Sequence, residues 1–399
     1  MRGAQRRPFS MSRSPRTFAV SAAGRALGAL FPRRAAPDPA TIRKLLVIKP
    51  AAHGDILFAS AAIDQLRCGY PEAEITLAVS QWFVELAHNV PGVDHVLDSG
   101  RFGTPGRFGL MDAWRFSRRL AVERFNLAVV LDRSPKVAIA PWLAGIPNRA
   151  GIDSSGRGFA LTLRVPWDRP THEVDLMLDV VRALGVEVSD PMLRYEPAGE
   201  HVRYADRLLQ EWDLAGEAPV VVIHPGGASN PGMVMPSKRW PAPRFSDLAD
   251  RLVEATGARI VVVGHGADAP ISRQMRLGMK HPSVDLVGQT TIGQLGALLK
   301  RASLYIGNDS LPLHLGVAAG TPVVGLFGPT DPAINGPYRG SGIGLVDEKA
   351  CSQRRAFQPG PLQSCLNCTC IELITVERAA GAAAQLLRTS APRRSESSR

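Results

Sequence analysis

The sequence predicts two α/β domains, each a parallel sheet with helices on both faces. Three observations predict it. A chain of 399 residues is too long for one ordinary core and suits two. Short continuous apolar runs alternate with stretches of helical spacing, as strands buried on both faces require. That alternation lapses after about residue 188 and restarts at Val220. The 38 Gly and 32 Pro supply the tight connections.

Taken in order, Leu45 to Lys49 reads as a buried strand, and Ile56, Ala59, Ile63 and Leu66 set helical spacing after it. Ile75 to Val79 and Leu127 to Leu131 are further strands. Asp175 to Leu184 is a helix, and Val188 to Pro197 a linker. In the second half, strands are expected at Val220 to Ile223, Ile260 to Val263, Leu304 to Ile306 and Val323 to Phe327, with a helix from Arg244 to Ala255. The expected division is a basic disordered tail at 1–40, a first domain at 41–195 and a second at 196–375. A closing helix at 376–388 and a disordered tail at 389–399 complete it. Ligands of open parallel sheets bind beyond the carboxyl ends of the strands, so two such sheets predict a site between them.

The net charge of +11 invites a nucleic-acid reading, but its location argues otherwise. Residues 1–40 hold eight Arg against Asp38, and residues 388–399 hold four Arg against Glu396, which leaves about +1 for everything between. A nucleic-acid binder carries its basic footprint on the folded domain, so nucleic acid is not an expected partner. Arg-rich tails suit a solvated segment or loose peripheral contact with anionic lipid. No apolar run reaches the length that spans a bilayer. The N-terminus lacks the apolar core of an export signal, so the expected location is cytoplasmic, peripheral at the inner membrane. Cys365-x-x-Cys368-x-Cys370, with Cys351 before it, leaves zinc, redox and plain structural roles open.

Three segments that follow strands carry candidate chemistry. In the first, Gly54 permits a tight turn and Asp55 stands at a strand-to-helix junction. It is either an N-cap or a general base that takes a proton from a hydroxyl. In the second, His224-Pro-Gly-Gly-Ala-Ser229 offers the backbone N–H of Gly227 and the Ser229 hydroxyl to a phosphate, with Lys238 downstream as a mobile cation. The third is Gly307-Asn-Asp-Ser-Leu-Pro-Leu-His314. There Asp309 or Ser310 can cap a helix that begins at Pro312, and a helix N-terminus suits a diphosphate. Asp268 follows a strand in a Gly-rich loop and is a weak candidate for ribose hydroxyls. No Asp-x-Asp pair occurs, so no metal and no cofactor are expected. No Gly-x-Gly-x-x-Gly follows the first strand, which argues against a dinucleotide-dependent oxidoreductase. In the first domain, Arg133, Lys136, Arg149 and Arg157 are candidates to hold an acidic sugar or phosphate.

Together these segments resemble glycosyltransferase family 9, the lipopolysaccharide heptosyltransferase family. The likeness runs from about Lys44 to Leu387. It rests on Gly54-Asp55, on "HPGGAS" leading to "KRWP", and on "GNDSLPLHLGVAAGTPVVGLFGPT". It implies a GT-B fold, two facing Rossmann-like domains with a C-terminal helix returning to the first. It also implies transfer with inversion and without metal. The catalytic aspartate falls on Asp55, the phosphate-binding lysine on Lys238, the hydroxyl-bearing loop on Ala228-Ser229 and the ribose carboxylate on Asp268. The remaining donor-site residues fall on Asp309, Ser310 and His314. The implied partners are a nucleotide-diphosphate sugar, ADP-heptose, and a lipid-linked saccharide acceptor. Three departures stand out: Leu311 replaces a usual glycine, His53 a usual leucine, and the spacing before Cys370 differs. Other readings are a same-family transferase building O-antigen or capsule from another sugar, a nucleotide-sugar epimerase, and a non-catalytic nucleotide-binding protein.

Overall fold

The computed structural model describes residue 24 and residues 26–389, apart from 105–107, 168, 228, 231–232, 341 and 348–368. Two six-stranded sheets, all parallel, carry the fold. The first is built from β1 (Lys44–Ile48), β2 (Glu74–Val79), β3 (His95–Asp98), β4 (Leu127–Val130), β5 (Asn148–Asp153) and β6 (Leu163–Pro166). The second is built from β7 (Val220–His224), β10 (Arg259–Val262), β11 (Ser283–Asp285), β12 (Leu304–Asn308), β13 (Val323–Leu326) and β14 (Gly342–Leu345). A short antiparallel pair, β8 (Ser229–Asn230) and β9 (Met233–Val234), lies between β7 and β10. The orders are β3-β2-β1-β4-β5-β6 and β11-β10-β7-β12-β13-β14, the same doubly wound arrangement in both halves. Each sheet therefore reverses its winding once, at β1/β4 and at β7/β12, and these are the points where such sheets bind ligands.

The apolar runs form the central strands, because only they are covered on both sides. β1, β4, β7, β12 and β13 are buried throughout or nearly so. Each fully buried Val, Leu or Ile contributes roughly 1.5–3 kcal/mol. Strand and helix starts coincide with the expected ones at β4, β7, β12 and β13 and depart from them by one to three residues elsewhere. The main additions are β3, β5, β6, β11 and β14, and the helices Leu110–Glu123, Gly199–Glu211, Ala269–Gly278 and Ile292–Arg301.

The two domains face each other through helix His53–Gly69 of the first and helix Leu311–Ala318 of the second. Apart from His314 the second helix is apolar all round, and every residue from Pro312 to Ala318 is buried. A helix without a polar face needs cover on every side, which its own sheet and the first domain provide together. One core cluster accordingly crosses from Phe58 and Leu66 to Leu313 and Leu315. Polar ties span the same boundary. The Tyr338 hydroxyl donates to Asp175 Oδ1 at 2.8 Å, and the His172 ring reaches the Gly336 carbonyl at 3.2 Å. The linker is pinned to the first domain by hydrogen bonds from the Ser189 and Arg194 amides to Gln65 and Ser60.

Two expectations change. The closing helix, Val376–Thr389, packs on the second domain and not on the first. Its buried Ala379, Ala383 and Leu386 meet helix Ala242–Thr256 and strands β12 to β14, because a narrow Ala face fits closely against that helix. Residues 24–40 are not wholly a free tail. Residues 26–30 are helical, and Phe31 packs edge-on against Trp142 and Phe159. Arg164 donates to the carbonyls of Gly28 and Phe31, which holds the segment on the first domain. The expected tails at 1–23 and 390–399 lie outside the described residues.

Candidate active site

β1 delivers its carboxyl end into the gap between the domains. Lys49 follows the strand, and helix His53–Gly69 starts after an Ala52 N-cap with no side-chain bond. Asp55 is therefore not the cap but a residue of the first turn, where the helix dipole favours a negative charge. Lys49 Nζ lies 2.9 Å from Asp55 Oδ2 and 3.7 Å from Asp132 Oδ2, the latter just past β4. The lysine side chain is 7% exposed and that of Asp55 34%, so the carboxylate reaches the gap while its cation is buried. Burial works against the charge on Lys49. The carboxylates of Asp55, Asp132 and Glu173 outweigh it and hold its pKa above the ordinary lysine value.

Gly54 shows why this turn tolerates no side chain. A Cβ there would lie 2.7 Å from Cδ2 of His314, a residue of the opposite domain. The His314 ring also meets Phe58 edge-on at 4.6 Å and approaches Asp309 Oδ1 through Nε2 at 3.5 Å. The turn that bears Asp55 and the helix that follows Ser310 are thus in van der Waals contact.

The second domain's half of the site is built at β7/β12. Asn308, fully buried at the end of β12, donates to the carbonyls of Pro225 and Gly226 and accepts from the Trp240 amide at 3.0 Å. One side chain so joins both loops to the strand end. Asp309 accepts from Lys238 Nζ at 2.6 Å and from the Thr330 hydroxyl at 2.7 Å. Burial alone would raise its pKa, but Lys238 and His314 hold it well below the usual carboxylate range. Ser310 is the N-cap by position, yet its hydroxyl bonds the Asn308 carbonyl and meets His224 Nδ1 at 3.3 Å. The side chain thus leaves the amides of the first helical turn to other acceptors.

Gly227 adopts φ +85°, and a Cβ would stand 2.8 Å from the Ser310 Cβ, so both conformation and space require glycine. Its loop is anchored by Asp268, which accepts from the Gly227 amide at 3.0 Å, the His265 amide at 3.0 Å and His224 Nε2 at 3.2 Å. These donors overcome burial and bring the Asp268 pKa down to about 2. The side chain expected to meet ribose hydroxyls is therefore buried and engaged in holding the glycine loop. The Ser229 side chain lies outside what the structure describes.

The four cationic acceptor candidates differ in what they touch. Arg133 pairs with the buried Glu173 and stacks over the Trp167 ring at 4.5 Å. Arg149 is buried, and its guanidinium serves the carbonyls of Ile146, Pro147 and Ala160, so it is committed to the fold. Lys136 is exposed beside the Phe108 ring at 5.3 Å, and Arg157 lies in a turn after β5. Lys49, Asp132 and Glu173 were not among the candidates read from the sequence. A lysine ending an apolar strand was the available signal, and it is ambiguous, because such a lysine is commonly solvated. Cys351, Cys365 and Cys368 lie outside the described residues, and Cys370 is buried. Among the described residues no cluster of His, Cys, Asp or Glu is arranged to hold a metal ion.

Two facing doubly wound domains, with ligand-binding strand ends turned toward one gap, define the GT-B class of glycosyltransferases. Residues 113–358, more than half of the chain, match glycosyltransferase family 9 (heptosyltransferase), and the chain belongs to that family. Lipooligosaccharide heptosyltransferase 2 of Haemophilus influenzae is 26% identical over 330 residues, covering 79% of this chain and 92% of that protein. The enzyme of the same name from Haemophilus ducreyi is 29% identical over 313 residues, covering 74% and 86%. Among solved structures, the glycosyl transferase family 9 protein of Veillonella parvula superposes with a TM-score of 0.76 at 23% identity, covering 87% of this chain and 98% of that one. For Escherichia coli ADP-heptose lps heptosyltransferase II the TM-score is 0.66 at 22% identity, covering 87% and 99%. The fold likeness thus extends over nearly the whole described chain.

Proposed function

We propose that the chain transfers a heptosyl unit from ADP-heptose to a lipopolysaccharide core acceptor, with inversion at the anomeric carbon and without a metal ion. The observation that carries the reading is the contact between the Asp55 turn and the Ser310–His314 segment, made where Gly54 meets His314. It sets a candidate base from one domain against a candidate diphosphate site on the other. The names of the relatives, heptosyltransferases of lipooligosaccharide and lipopolysaccharide, supply the sugar and the acceptor class.

In this mechanism Lys49 engages Asp55 Oδ2, and Oδ1 takes the proton of the acceptor hydroxyl. The acceptor oxygen then attacks the anomeric carbon from the side opposite the diphosphate, which inverts the centre. A positioned base of this kind contributes about 10²- to 10⁴-fold. Negative charge grows on the departing diphosphate. Lys238 and the amides at the start of helix Leu311–Ala318 meet it, and these contacts strengthen as the bond breaks. Their combined charge does the work a divalent cation would otherwise do.

The test is incubation of the purified chain with ADP-heptose and a lipid-linked core that lacks heptose, read by mass spectrometry. A product heavier by one heptosyl unit, with its new linkage of opposite anomeric configuration and with transfer undiminished by chelator, supports the reading. Transfer only from a UDP- or GDP-linked sugar would assign the chain to another donor within the family.

A further inference from the structure

The site accounts for the inner side of the first sheet but leaves its outer side unexplained. Helix Leu110–Glu123 covers that outer side, burying Ala113, Phe116 and Leu120 against β1 and β4. At 100° per residue the opposite stripe comprises Met111, Trp114, Arg115, Arg118 and Val122. Its apolar members are 58%, 54% and 78% exposed, in that order. The stripe contains no acidic residue. Asp112 and Glu123 fall to one flank, and Asp112 is occupied by the Gly109 amide.

Helix Ala140–Leu143 packs beside it over the same sheet face, so its outward side points the same way. It presents Trp142, 42% exposed. Phe31 closes on the Trp142 ring at 5.2 Å, and this contact brings Leu30, 78% exposed, and Arg33 to the edge of the layer. Single exposed apolar residues need no explanation, but two tryptophans, a methionine, a leucine and a valine in one layer do. Arg118 lies over the Trp114 ring at 5.7 Å. An indole ring edged by a guanidinium group matches the boundary between lipid headgroups and acyl chains, where each group finds its own solvent.

We propose that this outer layer of the first domain docks on a bilayer of anionic lipid. Trp114, Trp142 and Met111 would enter the headgroup boundary, and Arg115, Arg118 and Arg33 would pair with lipid phosphates. The layer borders the candidate active site, because Asp132, beside Lys49, leads within three residues into helix Pro135–Ala138. A lipid-linked acceptor lying in the bilayer would present its sugar at the mouth of the gap. In that purpose the inference rests on the proposed acceptor, whereas the surface chemistry stands by itself. Reading the charge along the sequence left both Arg-rich tails either solvated or loosely held on anionic lipid. The proposal places the contact on the folded layer.

The test is co-sedimentation of the full chain with phosphatidylglycerol–phosphatidylcholine vesicles and with phosphatidylcholine vesicles. Wild type is expected to sediment with the first and hardly with the second. A W114S/W142S variant and an R115E/R118E variant should each weaken binding about tenfold or more. Unchanged thermal melting, and unchanged transfer to a soluble delipidated acceptor, would show that fold and catalysis are intact. Undiminished vesicle binding by both variants overturns the proposal. So does binding that disappears only when residues 1–23 are removed, or a loss of self-association in place of vesicle binding. Vesicle binding by a chain that transfers no sugar would count against the transferase reading and leave the surface standing.

Discussion

Lys49 Nζ stands 2.9 Å from Asp55 Oδ2, and the lysine is buried where the aspartate is not. The lysine fixes a candidate base in one orientation and offsets part of the negative charge of a pocket that also holds Asp132 and Glu173. Lys49→Met should therefore reduce both transfer and stability, the latter by about 1–3 kcal/mol, because it leaves Asp55 and the part-buried Asp132 without their cation. The folded pKa of Lys49 lies above its ordinary 10.5, so its contribution is fully present at neutral pH. It is lost as pH rises through the folded value. Urea unfolding of the two proteins should differ at pH 7, and the difference should shrink in strong alkali.

The contact between Gly54 and His314 predicts a coupling between domains. Gly54→Ala pushes a methyl into the imidazole and should lower transfer about tenfold or more, since small misplacements at a reacting centre are costly. ADP affinity, which the proposed mechanism assigns to the second domain, should change little. In a His314→Ala background the same substitution should cost less, and a double-mutant cycle of kcat/KM measures the difference.

Lys238 donates to Asp309, which aims its ammonium group at the start of helix Leu311–Ala318. Lys238→Met removes a charge-assisted contact worth about 1.5–3 kcal/mol and so should weaken ADP binding roughly 10- to 100-fold. Isothermal titration calorimetry at fixed ionic strength checks this. Unchanged affinity would remove Lys238 from the diphosphate site.

Asp268 sets an acid limit. Its pKa of about 2 lies below the ordinary 3.8, so the stability it contributes is present above pH 4 and is lost as pH falls towards 2. The shift corresponds to about 2 kcal/mol. Asp268→Asn should be less stable than wild type at pH 6 by that order. The two should converge near pH 2 when unfolding is followed by circular dichroism.

The elements differed in how clearly they could be read from the sequence, and the reasons are physical. β1, β4, β7 and β13 are covered on both faces and so appear as unbroken apolar runs. β5 and β14 contain Arg149, Gly151, Gly342 and Gly344, which interrupt the run, and their place in the sheet comes from pairing with β4 and β13. Helix Leu110–Glu123 carries Trp, Met and Val on its outer side, which blurs its periodicity. In the candidate site, Asp55, Lys238 and Asp309 stand in segments of distinctive composition and are legible in the sequence. The ties from Lys49 to Asp132 and from Arg133 to Glu173 join residues 83 and 40 apart in the chain, and only the crossover of the first sheet brings them together. Asp268 reads from the sequence as a site candidate, but the part it plays depends on His224 and Gly227 of the β7 segment and on the His265 amide of its own turn.

In the proposed mechanism Asp55 takes the acceptor's proton. The most direct test is single-turnover transfer by Asp55→Asn, with ADP affinity measured on the same preparation. Asparagine keeps the shape and loses the base. Transfer should fall about 10²- to 10⁴-fold, with ADP binding within about twofold of wild type. Transfer at a rate near that of wild type, with the donor equally well bound, would contradict it.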